Sequence, residues 1–162
     1  FTSMVYEQLV QKINTKKLKC LFKNGVLVHG GGWKKMEDSK ISNRIFKSKL
    51  KKILKIEKIF NYYGLIEQTG SIFFECSSCG CFSPSKYSEI LIRDKNFKTI
   101  SSNKKGLIQL LSILPKSYPG HSILTEDIGE IISNNCKVCK TKKKFKVYGR
   151  AEKSEIRGCS DV

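Results

Sequence analysis

Lys58-Ile59-Phe60-Asn61-Tyr62-Tyr63-Gly64-Leu65-Ile66-Glu67-Gln68-Thr69-Gly70 decides the fold class. Residues 58–63 are rich in aromatic and branched side chains and predict a strand; Gly64 ends it before a loop carrying one carboxylate, Glu67. Upstream, Met4, Val5, Leu9, Val10 and Ile13 recur at three- and four-residue steps and predict an amphipathic helix. Residues 18–22 and 25–29 form a short strand region that runs into Val28-His29-Gly30-Gly31-Gly32-Trp33-Lys34-Lys35. Ile41, Ile45, Leu50, Ile53 and Leu54 then mark a lysine-studded helix with Asp38 or Ser39 as its cap. Downstream, strands are predicted at 71–76, 89–93 and 106–114, and Pro115 and Pro119-Gly120 supply turns before Thr125-Glu126-Asp127. Helix, strand, helix, strand and a run of strands give an α/β chain: a mixed sheet flanked by helices, with a β-rich extension.

The chain has 162 residues, 40% of them hydrophobic, enough for one buried core. No apolar run approaches the roughly 20 residues a membrane helix needs, and no charged-then-apolar leader opens it, so the expected location is the cytoplasm. The net charge of +17 arises from 31 Lys and Arg against 14 Asp and Glu. Such a balance ordinarily suggests nucleic acid or an anionic surface. Here the lysines are spread along an Ile- and Asn-rich chain, with local excesses at 47–58 and 137–146, which assigns them to solvated faces. Nucleic acid is therefore not the expected partner.

Seven cysteines are an odd number, and CxxC spacing fits a reducing compartment better than a disulfide framework. Cys76-x-x-Cys79 and Cys136-x-x-Cys139 each have the spacing of a zinc-binding pair, and together they make a four-thiol structural site if their loops meet. Cys81 is an alternative to Cys79 or a free thiol, iron–sulfur ligation and metal-free buried thiols compete with zinc, and Cys20 sits among core-type residues. Cys159 lies apart, in Glu155-Ile156-Arg157-Gly158-Cys159-Ser160-Asp161. Arg157 and the more distant Lys153 favour its thiolate, which makes it a candidate nucleophile. His29 and His121 have no partner at catalytic spacing and are expected to bond locally in loops.

Several of these stretches recur in the order found in adenylate-forming enzymes. Tyr62-Tyr63-Gly64-Leu65-Ile66-Glu67 resembles their tyrosine-glycine-x-x-glutamate signature, with Ile66 where relatives usually carry threonine. Thr125-Glu126-Asp127 resembles the threonine-x-aspartate motif, Tyr148-Gly149-Arg150 resembles the start of the hinge, and the glycine run precedes all three. Residues 29–35, 71–75, 117–130 and 155–161 make the chain most similar to the acyl-protein synthetases of the LuxE type, which activate fatty acids.

The resemblance implies a partial adenylate-forming fold, with residues 1–144 as the carboxy-terminal part of the main domain and 145–162 as the hinge and the start of a small lid. It also implies ATP-dependent activation of a fatty acid or related carboxylate to acyl-AMP, followed by transfer to a thiol. Gly30, Gly31 and Gly32 would lie beside the adenine, Gly64 would belong to the same nucleotide site, and Tyr63 would lie against the adenine or the acyl chain. Glu67 would hold Mg²⁺, a hard cation that takes oxygen ligands. Asp127 would accept from the ribose hydroxyls, Arg150 would reach the ribose or α-phosphate, and Cys159 would receive the acyl group. An acyl reductase or acyl-acceptor protein is the implied partner. Family members are about twice as long and carry an upstream phosphate loop that these residues lack, so a carboxy-terminal portion of a larger enzyme is expected. The rival readings are a coenzyme A ligase, whose thiol diffuses, and a basic zinc-binding module that contacts nucleic acid.

Overall fold

The computed structural model describes residues 2–16, 24–30, 42–116, 119–133, 135–141 and 143–151. In order, these form α1 (Thr2–Thr15), β1 (Val26–Gly30), α2 (Asn43–Leu54), β2 (Lys58–Tyr63), a 3₁₀ turn (Ile66–Gln68), β3 (Phe73–Phe74), β4 (Ser88–Arg93), β5 (Lys105–Ser112), β6 (Ser122–Ile132) and β7 (Lys144–Arg150). They fall into two compact units that divide within β2, between Asn61 and Tyr62. The α/β class expected from the sequence is the one observed.

The first unit packs two helices with β1 and the start of β2. Phe46, Leu50 and Leu54 repeat at four-residue steps along α2 and are buried, joining Val10 and Ile13 of α1, Leu27 of β1, and Ile56 and Ile59 in one cluster. Each such side chain contributes about 1.5–3 kcal/mol by leaving water. Val5, Leu9 and Ile45, expected on the apolar faces, stay exposed because the buried stripes run out of phase with them. The cap of α2 is Ser42, whose hydroxyl accepts from the Ile45 N–H at 3.3 Å. Asp38 and Ser39, proposed for that role, precede the observed helix by several residues and lie outside the described residues. Lys55 takes the left-handed conformation, φ 56°, and closes the helix on the Lys51 carbonyl.

The second unit is built on an antiparallel meander, β4-β5-β6-β7. Ile90 and Ile92 of β4 and Ile108 and Leu110 of β5 alternate inward and are completely buried, as period-two patterning requires. With Phe73, Phe82, Ile131 and Phe145 they form the second core cluster. Tyr62 and Tyr63, the end of β2, pair antiparallel with Phe74 and Phe73 of β3.

The strand expected at 71–76 shrinks to two residues. Ser71 instead turns its hydroxyl onto that of Ser112, 2.7 Å away, and Cys76 enters a tight turn. Tyr148-Gly149-Arg150, expected to open a hinge, are the last residues of β7, so the sheet takes in the first part of the segment the sequence assigned to a lid. Among the described residues no helix is long and apolar enough to cross a membrane.

Candidate functional site

Glu67 owes its position to its neighbours. The strand ends at Tyr63, and the chain turns through Ile66–Gln68 with Glu67 exposed and Gln68 completely buried beside it. The Gln68 amide Nε2 donates to the carbonyls of Gly120, at 2.9 Å, and Leu110, at 3.3 Å, which pins the 3₁₀ turn to β5 and to the turn before β6. Gly120 packs so closely that a Cβ there would fall 2.1 Å from the Glu67 carbonyl oxygen, so this position excludes every larger residue. An exposed carboxylate on a rigidly held turn is a hard oxygen ligand of the kind Mg²⁺ takes.

Sixty-four residues further on, Asp127 meets Tyr63. The phenol donates to Asp127 Oδ2 at 2.6 Å. Burial first, and then the Asp127 carboxylate, push the Tyr63 phenol far above its ordinary value, so it stays protonated and acts as a donor. Its ring stands among Phe73, Phe82 and Phe145 with centroids 6.2, 6.1 and 6.0 Å away, which leaves it little rotational freedom. The Asp127 N–H donates to Thr125 Oγ1 at 3.1 Å, and Thr125 Oγ1 donates to the Ile108 carbonyl at 2.9 Å, so the carboxylate is fixed from its backbone as well.

Asp127 and Arg150 are register partners across β6 and β7. The Arg150 guanidinium donates to the Glu126 carboxylate, and the Ala151 N–H donates to the Glu126 carbonyl at 2.8 Å. Glu126, Gln68, Gly120 and Thr125 were not singled out as supports from the sequence. The threonine-x-aspartate motif contains Thr125, but nothing in it indicates that the Thr125 hydroxyl would accept from the Asp127 N–H.

Other expected site residues lie elsewhere. Gly30 is the buried last residue of β1, in the first unit, and Gly31, Gly32 and Cys159 lie outside the described residues. Gly64 follows β2 directly. His29 is not in a loop: it lies in β1, buried edge-on against Phe46 with ring centroids 4.9 Å apart. His121 pairs with the Ser112 carbonyl through Nδ1 at 3.2 Å.

The two CxxC loops do meet. The sulfurs of Cys76, Cys79, Cys136 and Cys139 all lie within 4.8 Å of one another. Cys81 stays out, buried with its thiol toward the Cys79 carbonyl. Donation from the backbone N–H groups of Cys139 and Val138 lowers the Cys136 thiol to about 6. Burial pushes the Cys79 thiol up to about 12. At Cys76 burial also acts upward, but the N–H groups of Cys79 and Ser78 outweigh it and the thiol is lowered.

A family model described as "Acyl-protein synthetase, LuxE" matches residues 1–162. A search of curated proteins gives no match. Among solved structures, the chain is similar to an open conformation of a 2-hydroxyisobutyryl-CoA ligase in complex with 2-HIB-AMP and CoA, with TM-score 0.70 and 13% identity over 93% of this chain and 35% of that one. The anthranilate CoA ligase AuaEII with anthranoyl-AMP matches with TM-score 0.55 and 13% identity, over 93% of this chain and 33% of its own. The luciferase-like enzyme of the nonluminescent Zophobas morio mealworm matches with TM-score 0.51 and 19% identity, over 92% and 41%. These likenesses give the fold, that of part of an adenylate-forming enzyme. The chain spans between a third and about two fifths of the length of these structures.

Proposed function

The chain belongs to the acyl-protein synthetase LuxE family, and from that premise we propose that it carries part of the site at which a carboxylic acid is activated with ATP and passed to a thiol. The observation that supports this most is the 2.6 Å bond from Tyr63 to Asp127, which joins two of the sequence motifs within the second unit. In the first half-reaction a carboxylate oxygen of a fatty acid or related acid attacks the α-phosphorus. The bond to the bridging oxygen breaks, pyrophosphate leaves and acyl-AMP forms. Asp127 binds the ribose: one carboxylate oxygen is committed to Tyr63 and the other is left to accept from a hydroxyl. Arg150, held by Glu126 and in register with Asp127 across β6 and β7, supplies a guanidinium beside it. Glu67 would hold magnesium, whose charge would neutralise the phosphates.

In the second half-reaction a thiolate attacks the acyl carbon, a thioester forms and AMP leaves with the electron pair of the broken anhydride bond. We assign that thiol to Cys159, whose proton goes to solvent, and the acyl group then passes to a reductase or another acceptor protein. The four-cysteine cluster takes no part in either step.

The test is mass spectrometry of the full-length protein incubated with ATP, Mg²⁺ and acids of increasing chain length. The expected product is a hydroxylamine-labile acyl adduct on Cys159, absent in Cys159→Ser, which still forms acyl-AMP. With coenzyme A added, acyl-CoA formed by Cys159→Ser at the unaltered rate would instead make the thiol a diffusible one. Absence of acyl-AMP with every acid would remove the proposal.

A further inference from the structure

Two segments sixty residues apart fold into the same turn. In Cys76-Ser77-Ser78-Cys79-Gly80 the Gly80 N–H donates to the Cys76 carbonyl at 2.9 Å, and Gly80 has φ +66°. In Cys136-Lys137-Val138-Cys139-Lys140 the Lys140 N–H donates to the Cys136 carbonyl at 3.1 Å, with φ +51° at Lys140. A left-handed residue after the second cysteine suits glycine, so a lysine holding it in the second copy accepts strain for the sake of the turn. Each turn points two thiols the same way.

The turns face each other with Cys76 opposite Cys136 and Cys79 opposite Cys139, both sulfur pairs 3.9 Å apart. A disulfide needs about 2.05 Å, so these are not incipient bridges. Four sulfurs at ~2.3 Å from one metal ion form a tetrahedron with edges of about 3.8 Å, close to the 3.9 Å of these two facing pairs, and all four sulfurs lie within 4.8 Å of one another. Cysteine supplies every ligand and no position is left open, the composition of a structural rather than a catalytic site. Zinc with four thiolates carries two negative charges, and the sequence around the second turn is basic, with five lysines among the eight residues from 137 to 144.

We propose that Cys76, Cys79, Cys136 and Cys139 hold one zinc ion that clips the β3–β4 connection to the β6–β7 connection. On binding, four Zn–S bonds form and the thiol protons pass to solvent. Next to the clip, Phe82 and Phe145 exchange N–H···O bonds in both directions at 2.9 Å, and the hydroxyls of Ser83 and Thr141 lie 3.0 Å apart. Those two phenylalanines are walls of the cage around Tyr63, so the zinc supports that cage from outside it. This proposal does not depend on the acyl-transfer reading.

The experiment is elemental analysis of the full chain purified without chelator. It should contain about one zinc per chain, as a closed tetrathiolate requires. Cys136→Ser/Cys139→Ser should lose the metal, and Cys81→Ser should keep it. Because the double variant risks misfolding, the chain is also refolded with cobalt. A tetrahedral thiolate site then gives intense visible bands and a sulfur-to-cobalt charge-transfer absorption, both weakened in each single variant. Zinc that survives in the double variant, iron in its place, or cobalt spectra of an oxygen-ligated site would overturn the proposal.

Discussion

Tyr63 is an aromatic whose two ends do different work: the ring is caged by three phenylalanines while the hydroxyl reaches a carboxylate. Tyr63→Phe keeps the cage and removes only the donor. It leaves a half-buried acceptor short of one partner, a loss of about 1–3 kcal/mol. We expect the denaturant midpoint to fall by that amount with an unchanged slope. Asp127→Asn should hardly alter folding but should raise the ATP requirement of the complete enzyme roughly ten- to hundredfold, the worth of one or two hydrogen bonds to a charged group. Titration of bound nucleotide would read it.

Tyr148 offers a pH test at the same scale. Its phenol donates to Glu130 at 2.5 Å, and that bond, with burial behind it, raises it from its ordinary value near 10 to about 12. A folded-state pKa above the unfolded one means the contribution to stability is whole below about pH 10 and fades as pH rises through about 12. The ring is largely solvated, so the energetic share is small, and the readout is the ultraviolet tyrosinate signal. In Glu130→Gln that signal should move back down.

Among the elements, the 3₁₀ turn depends most on others. Gly120→Ala would drive a methyl into the Glu67 carbonyl, where the nearest atom is backbone and cannot swing away. The expected outcome is a stability loss of at least about 1–3 kcal/mol with a larger proportional loss of Mg²⁺-dependent activity. Equal losses in both would show that Gly120 serves folding alone. Gln68→Leu fills the same space without the two donated bonds and separates packing from polar pinning.

This turn also marks the limit of what the sequence disclosed. Strands β4 and β5 were legible because Ile90, Ile92, Ile108 and Leu110 alternate cleanly. Strand β6 was not, because Glu126, Asp127 and Gly129 interrupt its apolar pattern. In β7 the period-two signal of Phe145 and Val147 was masked by a lysine run. The motifs of the site were visible by resemblance, but their meeting was not. Nothing local in residues 58–70 announces that Tyr63 will find Asp127, or that Gln68 will find Gly120, since those contacts are made by strand pairing far along the chain.

At the scale of the whole molecule the competing influence is charge. A net charge of +17 draws any polyanion at low ionic strength, and ATP among them, so a shift with DNA or heparin by itself says nothing about a built site. Counterion release predicts that such binding weakens linearly on logarithmic axes and largely disappears between about 50 and about 200 mM salt. Under the proposed function, adenylate formation would rest instead on a few groups, Asp127, Glu67 and Arg150, and should lose far less over the same range. Asp127→Asn removes one negative charge and should leave or slightly strengthen heparin retention while nucleotide binding collapses. Nucleic-acid binding that persisted at the higher salt, preferred one sequence and fell with removal of the metal would reverse the ranking, because a fixed basic surface beside a zinc clip would then be the functional face.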